Sequence, residues 1–203
     1  MMSRHTLNRS WVRSLPRNLW YGYRRYVALS ALLFVVGGVI GGIVVQFVEL
    51  SAILSTAGFG GEGGGEFPEI TTAFLVLNNT VALLVLVLSG ATLGLLTAAI
   101  LLFNGALVGA VVVVTAETGG LLVPVVGILP HGVLEIPALL FAASVAFRFS
   151  HHVVLAATGR REDVMTDEEA KEAAVLTVLA FVLVPIAAFI EANITTALLE
   201  GVR

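Results

Sequence analysis

The sequence predicts an all-α protein, a polytopic transmembrane helical bundle of about five spans. Composition is the first reason: of 203 residues, 58% are hydrophobic and only 12% charged, against about 25% charged in soluble domains, and the mean hydropathy is +0.99. The second is the layout of the apolar residues, which fall into stretches long enough to need about 20 residues each of bilayer. The third is glycine: many of the 21 glycines lie inside those stretches, where small residues let membrane helices approach closely. The stretches lack the period-two alternation of barrel strands.

Residues 1–25 read as a basic cytoplasmic amphipathic segment and residues 26–200 as a single transmembrane domain. In the first part Leu7, Trp11, Leu15 and Leu19 recur every four residues, with Arg9, Arg13 and Arg17 on the opposite face. That pattern suits a helix lying on the inner leaflet and interrupted near Pro16, or a basic tail that only sets topology. The region before the apolar run is too long for a cleavable signal and no small-residue cleavage site follows, so an uncleaved first span is expected.

The first span covers Tyr26 to Leu50. Residues 55–72, "STAGFGGEGGGEFPEITT", cannot pack a core and read as a flexible external loop. Ala73 to Thr115 is apolar for 43 residues, enough for two spans folded at "SGATLG", residues 89–94. A fourth span runs from Leu121 to about Phe147, with a break or re-entrant segment before His131 as the alternative for residues 121–130. The polar stretch that follows holds "TDEE", where Thr166 and Glu169 have capping-box spacing. The fifth span extends from roughly Ala173 to Thr195, its helix starting in water several residues earlier.

Ten of the eleven basic residues precede the first span or lie between the fourth and fifth. With five spans these regions share one side, and the positive-inside rule makes that side cytoplasmic. The N-terminus is then inside, the glutamate loop and C-terminus outside, and the location the cell membrane. The small-xxx-small pairs Gly37/Gly41, Gly90/Gly94 and Gly105/Gly109 are expected to pack helices within the subunit, a homodimer contact being the alternative.

Chemistry resides in the polar residues of the spans: Asn78, Asn79, Asn104, His131, Glu135, Glu191 and Asn193. An ionisable group in hydrocarbon costs at least about 2.5 kcal/mol and usually faces the bundle interior or a wet cavity. His131 and Glu135, at i and i+4, share a helix face. Three readings follow: a hydrogen-bonded clamp between helices, a binding or transport site, or a metal site of His131, Glu135 and Glu191, whose ligand types suit zinc. Depth reckoned at about 1.5 Å per residue sets Asn104 level with Glu135, with Gly105 admitting the close approach, and sets Asn79 and Glu191 near His131. The chain has no cysteine, which excludes disulfides and thiolate chemistry. His151 and His152 lie beyond the fourth span and read as interfacial.

The succession "FLVLNNTVALLVLVLSGATLG", "LLFNGALVG", "LPHGVLEIPAL" and "AAFIEANIT" resembles the stage II sporulation protein M family over roughly residues 25–200. The specific element is Asn104-Gly105 followed by Pro-His-Gly-x-x-Glu, which places His131, Gly132 and Glu135 in the family pattern, with Glu191 in the final Ile-Glu-Ala. Here "ITTALL" stands where many relatives have a proline after the Thr. The resemblance implies a multi-span α-helical membrane protein. In spore-forming bacteria the namesake works with two cell-wall-degrading proteins during engulfment, as their membrane anchor. The function expected is a non-enzymatic scaffold with lipid, a second copy or a cell-envelope protein as partner and with neither cofactor nor nucleic acid; a transporter or channel subunit using the His/Glu/Asn cluster is the alternative, ahead of a metal-dependent intramembrane enzyme.

The cysteine-free background makes the topology directly measurable. An impermeant maleimide should label Gly63→Cys on intact cells and Thr158→Cys only after lysis; labelling of both from outside would overturn the five-span arrangement.

Overall fold

A computed structural model describes residues 9–48 and 71–201 of the chain. Five helices long and apolar enough to cross a membrane make up the bundle, and no strand occurs among the described residues. Helix α1 is Arg9–Val44, α2 is Thr72–Leu88, α3 is Leu95–Gly119, α4 is Leu122–Ala157 and α5 is Asp167–Ile190. A π-helical turn, Glu191–Thr195, and a short α6, Thr196–Glu200, complete the last span. Nearly all of the glutamate-rich loop lies outside the described residues, as does Leu7.

Three boundaries differ from the sequence reading. Helix α1 passes through Pro16 and joins the basic segment to the first span as one 36-residue rod; the proline, in the helix interior, removes one backbone donor without ending the helix. Helix α4 is likewise unbroken over 36 residues, with Pro130 and Pro137 inside it, so residues 121–130 neither break nor re-enter. It also runs ten residues past Phe147, carrying Arg148, His151 and His152 on the bundle's own framework.

Helices α1 and α3 meet backbone to backbone. A Cβ on Gly37 would overlap the Leu102 carbonyl, and one on Gly41 the Ala106 carbonyl. In return, Gly105 faces the Phe34 carbonyl and Gly109 the Gly38 carbonyl in the same way. These glycines therefore pack within the chain, and Gly105 brings α3 to α1 rather than to the polar residues of α4.

Helix α4 lies against α1, α2, α3 and α5. Its small residues Ala138, Ala142 and Ala143 are wholly buried with Leu83, Leu86, Leu101, Ala180 and Val184. The α2–α3 connection is a 3-10 turn over Ser89–Thr92. Ser89 Oγ lies 2.6 Å from Thr97 Oγ1, and Thr92 Oγ1 accepts from Leu96 N at 3.1 Å to cap α3. Gly94 adopts φ +83° with the Phe147 ring 3.1 Å from where a Cβ would stand, so both conformation and space demand glycine. At the start of α5 the capping box forms as expected: Glu169 N donates to Thr166 Oγ1 at 3.3 Å, and Thr166 N donates to Glu169 Oε2 at 3.0 Å.

The α1–α3 contact predicts that Gly41→Val will force the helices apart. It should cost about 1–3 kcal/mol or more, the usual price of overpacking a close contact, and lower the melting temperature in detergent. The exposed Ala99→Val on α3 serves as control and should leave it unchanged.

Candidate functional site

At the end of the bundle away from the arginines, α4 presents His131 and Glu135 toward the C-terminal segment. The π turn begins at Glu191 and carries Thr195. Such turns occur mostly as single insertions in α-helices, frequently at functional sites. One ligand atom each from His131, Glu135 and Glu191 lie within 4.8 Å of one another. His131 Nε2 is 4.0 Å from Glu135 Oε2, while its Nδ1 is 3.3 Å from Thr195 Oγ1. From α2, the Asn79 amide donates to Glu135 Oε1 at 3.0 Å. A cavity of about 80 Å³ adjoins the group, lined by Asn104, His131, Gly132 and Glu135 among others.

The residues form one cluster, not the separate levels of Asn104 with Glu135 and of Asn79 with His131 and Glu191 expected from depth. Asn79 binds Glu135 and not His131. Asn104 donates to the Ile100 carbonyl of its own helix at 2.8 Å and reaches the cluster only as part of the cavity wall. Side-chain direction accounts for the departure of Asn104, because a helical side chain leans toward its own N-terminus. Helices α2 and α4 run the same way, so Asn79, His131 and Glu135 all lean toward the C-terminal end of the bundle. Helix α3 runs the other way, and Asn104 leans from them. Buried Gly132 keeps space open: a Cβ there would meet only Ile128 and Ile136 of its own helix. Asn78 donates to Asn79 at 3.2 Å and Asn193 to Thr72 at 3.3 Å, both on the exposed side of the bundle.

This set of residues coincides with a family match. The model for "Stage II sporulation protein M" matches residues 30–196. The chain belongs to that family. An uncharacterized protein of Methanocaldococcus jannaschii is 40% identical over 68 residues, a match covering 34% of this chain and 38% of the relative. The chain thus spans well under half of that relative's length in the match. No solved structure matches. Five candidate spans and the family together make this a multi-pass membrane protein.

At its arginine-rich end this family member holds a second polar group that the sequence reading missed. Arg148, 9% exposed, donates from Nη1 to Glu172 Oε2 at 2.8 Å and from Nη2 to Glu169 Oε1 at 3.2 Å. Its guanidinium lies 4.5 Å from the Tyr23 ring centroid, and Arg161 also bonds Glu169. His152 Nδ1 is 4.0 Å from Glu169 Oε1, and His151 Nδ1 is 2.7 Å from the Tyr26 hydroxyl. Helices α1, α4 and α5 are thereby tied together. Glu169 serves as more than a helix cap; the available signal was the pairing of buried-helix arginine with acids three residues apart on α5.

Glu169 precedes the apolar part of α5. Burial pushes its carboxyl upward, but hydrogen bonds from Arg161 and Thr166 and the His152 charge outweigh burial and hold it at about 2, below the ordinary 4.5. A depressed carboxylate contributes stability that is present above its unfolded value and lost as pH falls through the folded one. Between about pH 4.5 and pH 2, the melting temperature of the wild type should therefore fall further than that of Glu169→Gln. Parallel acid curves for the two proteins would contradict this.

Proposed function

We propose that the protein is a non-enzymatic scaffold of the cell membrane that holds a partner protein, a cell-envelope protein or a second copy, against its span surfaces. The observation that carries this reading is the pair of exposed amides, Asn78 on α2 and Asn193 on the π turn. Each uses its amide nitrogen within the chain, and neither side-chain oxygen has a donor among the described residues. Such groups hydrogen-bond across helices in membranes, and a neighbouring helix supplies the donor that lipid tails lack. The anchoring role of the family's namesake supports the same reading.

The orientation belongs to this proposal. Arg24, Arg25, Arg148, Arg160, Arg161 and Lys171 share one end of the bundle, and the positive-inside rule assigns that end to the cytoplasm, leaving the C-terminus outside. The His131 cluster and exposed amides then lie toward the outer face, where an envelope partner would meet them.

The test is affinity capture from native membranes, paired with tracer flux in proteoliposomes of the pure protein. Wild type should recover a membrane partner at near-stoichiometric yield, the Asn78→Leu/Asn193→Leu double variant should recover at least several-fold less, and flux should equal that of empty vesicles. Flux abolished by Glu135→Gln would replace the scaffold with a transporter.

A further inference from the structure

The scaffold reading assigns no task to the three ionisable groups brought together at the outer end, and their surroundings are specific. We infer that His131, Glu135 and Glu191 bind one first-row divalent transition-metal ion, of the class that zinc and manganese represent. The inference begins with charge. Two carboxylates stand side by side at membrane depth, and among the described residues every Lys and Arg lies at the other end of the bundle. Hydrocarbon does not tolerate such a pair ionised and uncompensated, so protonation or a bound cation must relieve it; a single dication neutralises both.

Geometry narrows the candidate from any cation to a coordinated one. The three ligand atoms lie within 4.8 Å of one another, whereas ligands around a tetrahedral zinc are roughly 3.3 Å apart. An inward shift of about an ångström closes the difference, within the rotation of two glutamate side chains. One imidazole nitrogen among the ligands favours first-row transition metals over magnesium or calcium, which prefer an all-oxygen shell.

The outer contacts are those a ligated site requires. Metal-bound histidines almost always donate their second ring nitrogen to an oxygen, and ligating carboxylates are themselves hydrogen-bonded. Here Thr195 Oγ1 stands 3.3 Å from His131 Nδ1, which leaves Nε2 facing the carboxylates. Asn79 occupies Glu135 Oε1 at 3.0 Å, which leaves Oε2 on the histidine side. The π turn sets Glu191 and Thr195 together on the face toward α4, supplying one ligand and one supporting hydroxyl from a single segment. The 80 Å³ cavity beside His131, Gly132 and Glu135 has room for water in the remaining coordination positions.

The experiment uses the whole chain purified in detergent, stripped with EDTA and then titrated with Zn²⁺, Mn²⁺ and Mg²⁺. Wild type should retain one zinc per chain through gel filtration, with a rise in melting temperature that EDTA reverses, and should bind Mg²⁺ at least tenfold more weakly. His131→Gln and Glu191→Gln should each bind zinc at least tenfold more weakly, while the His151→Gln/His152→Gln double variant keeps full affinity. Asn79→Ala touches only the supporting hydrogen bond and should lose about tenfold, which keeps the test decisive where a ligand variant does not fold. A folded wild type that retains no metal, equal binding by wild type and Glu191→Gln, or equal affinity for Mg²⁺ would each overturn the assignment.

Discussion

The contact on which the rest of the bundle depends is the one between α1 and α3, where four glycines allow two backbones to touch. Any side chain at Gly37, Gly41, Gly105 or Gly109 would occupy the space of a facing carbonyl. Lipid tails are as apolar as leucine, so no hydrophobic force drives these helices together, and van der Waals contact at short range has to do it. Helix α4 packs on this pair as well as on α2 and α5, and its polar residues bond Asn79 and the π turn, while Asn104 bonds within its own helix.

Helix α4 carries both polar groups on one rod. Between Glu135 and Arg148 lies an apolar stretch in which Ala138, Ala142, Ala143 and Ala146 are wholly buried, over a rise of roughly 20 Å. At one end charge is balanced internally: Arg148 meets Glu169 and Glu172 within hydrogen-bond distance, and Arg161 completes the group. At the other end two carboxylates face a histidine with only neutral amide and hydroxyl neighbours among the described residues. The same physical demand, that buried charge be compensated, is answered by the chain itself at the Arg148 end; at the other end it is the ground for the inferred metal ion.

How far the sequence disclosed this depends on which period carried the signal. Span number, the fold at residues 89–94 and the capping box at Thr166 were legible because apolar run length, turn glycine and cap chemistry are local. The identity of the polar residues was legible for the same reason, since any charge in an apolar run stands out. Their partners were not. Depth counting treated side chains as level with their own Cα atoms, whereas helix direction displaces Asn104 one way and Glu135 the other. The Arg148 cluster is not legible from hydropathy because the unbroken apolar run stops at Phe147, whereas the helix continues to Ala157 with Arg148, Ser150 and His152 buried.

The π turn ties these points together. In a continuous α-helix the residues after Ile190 would keep the 3.6-residue phase of α5, whose buried face consists of Ala180, Val184, Ala187 and Ala188. Inserting a π turn retards that phase, and its cost in backbone hydrogen-bond geometry is accepted where Glu191 and Thr195 must both turn toward α4. Thr196 Oγ1 bonds the Glu191 carbonyl at 3.1 Å, across the widened turn, and supports it. The sequence "ITTALL" carries the helix on through α6. The segment is thus shaped for the two side chains it delivers to His131, and a purely apolar seam between α4 and α5 would have had no need of it.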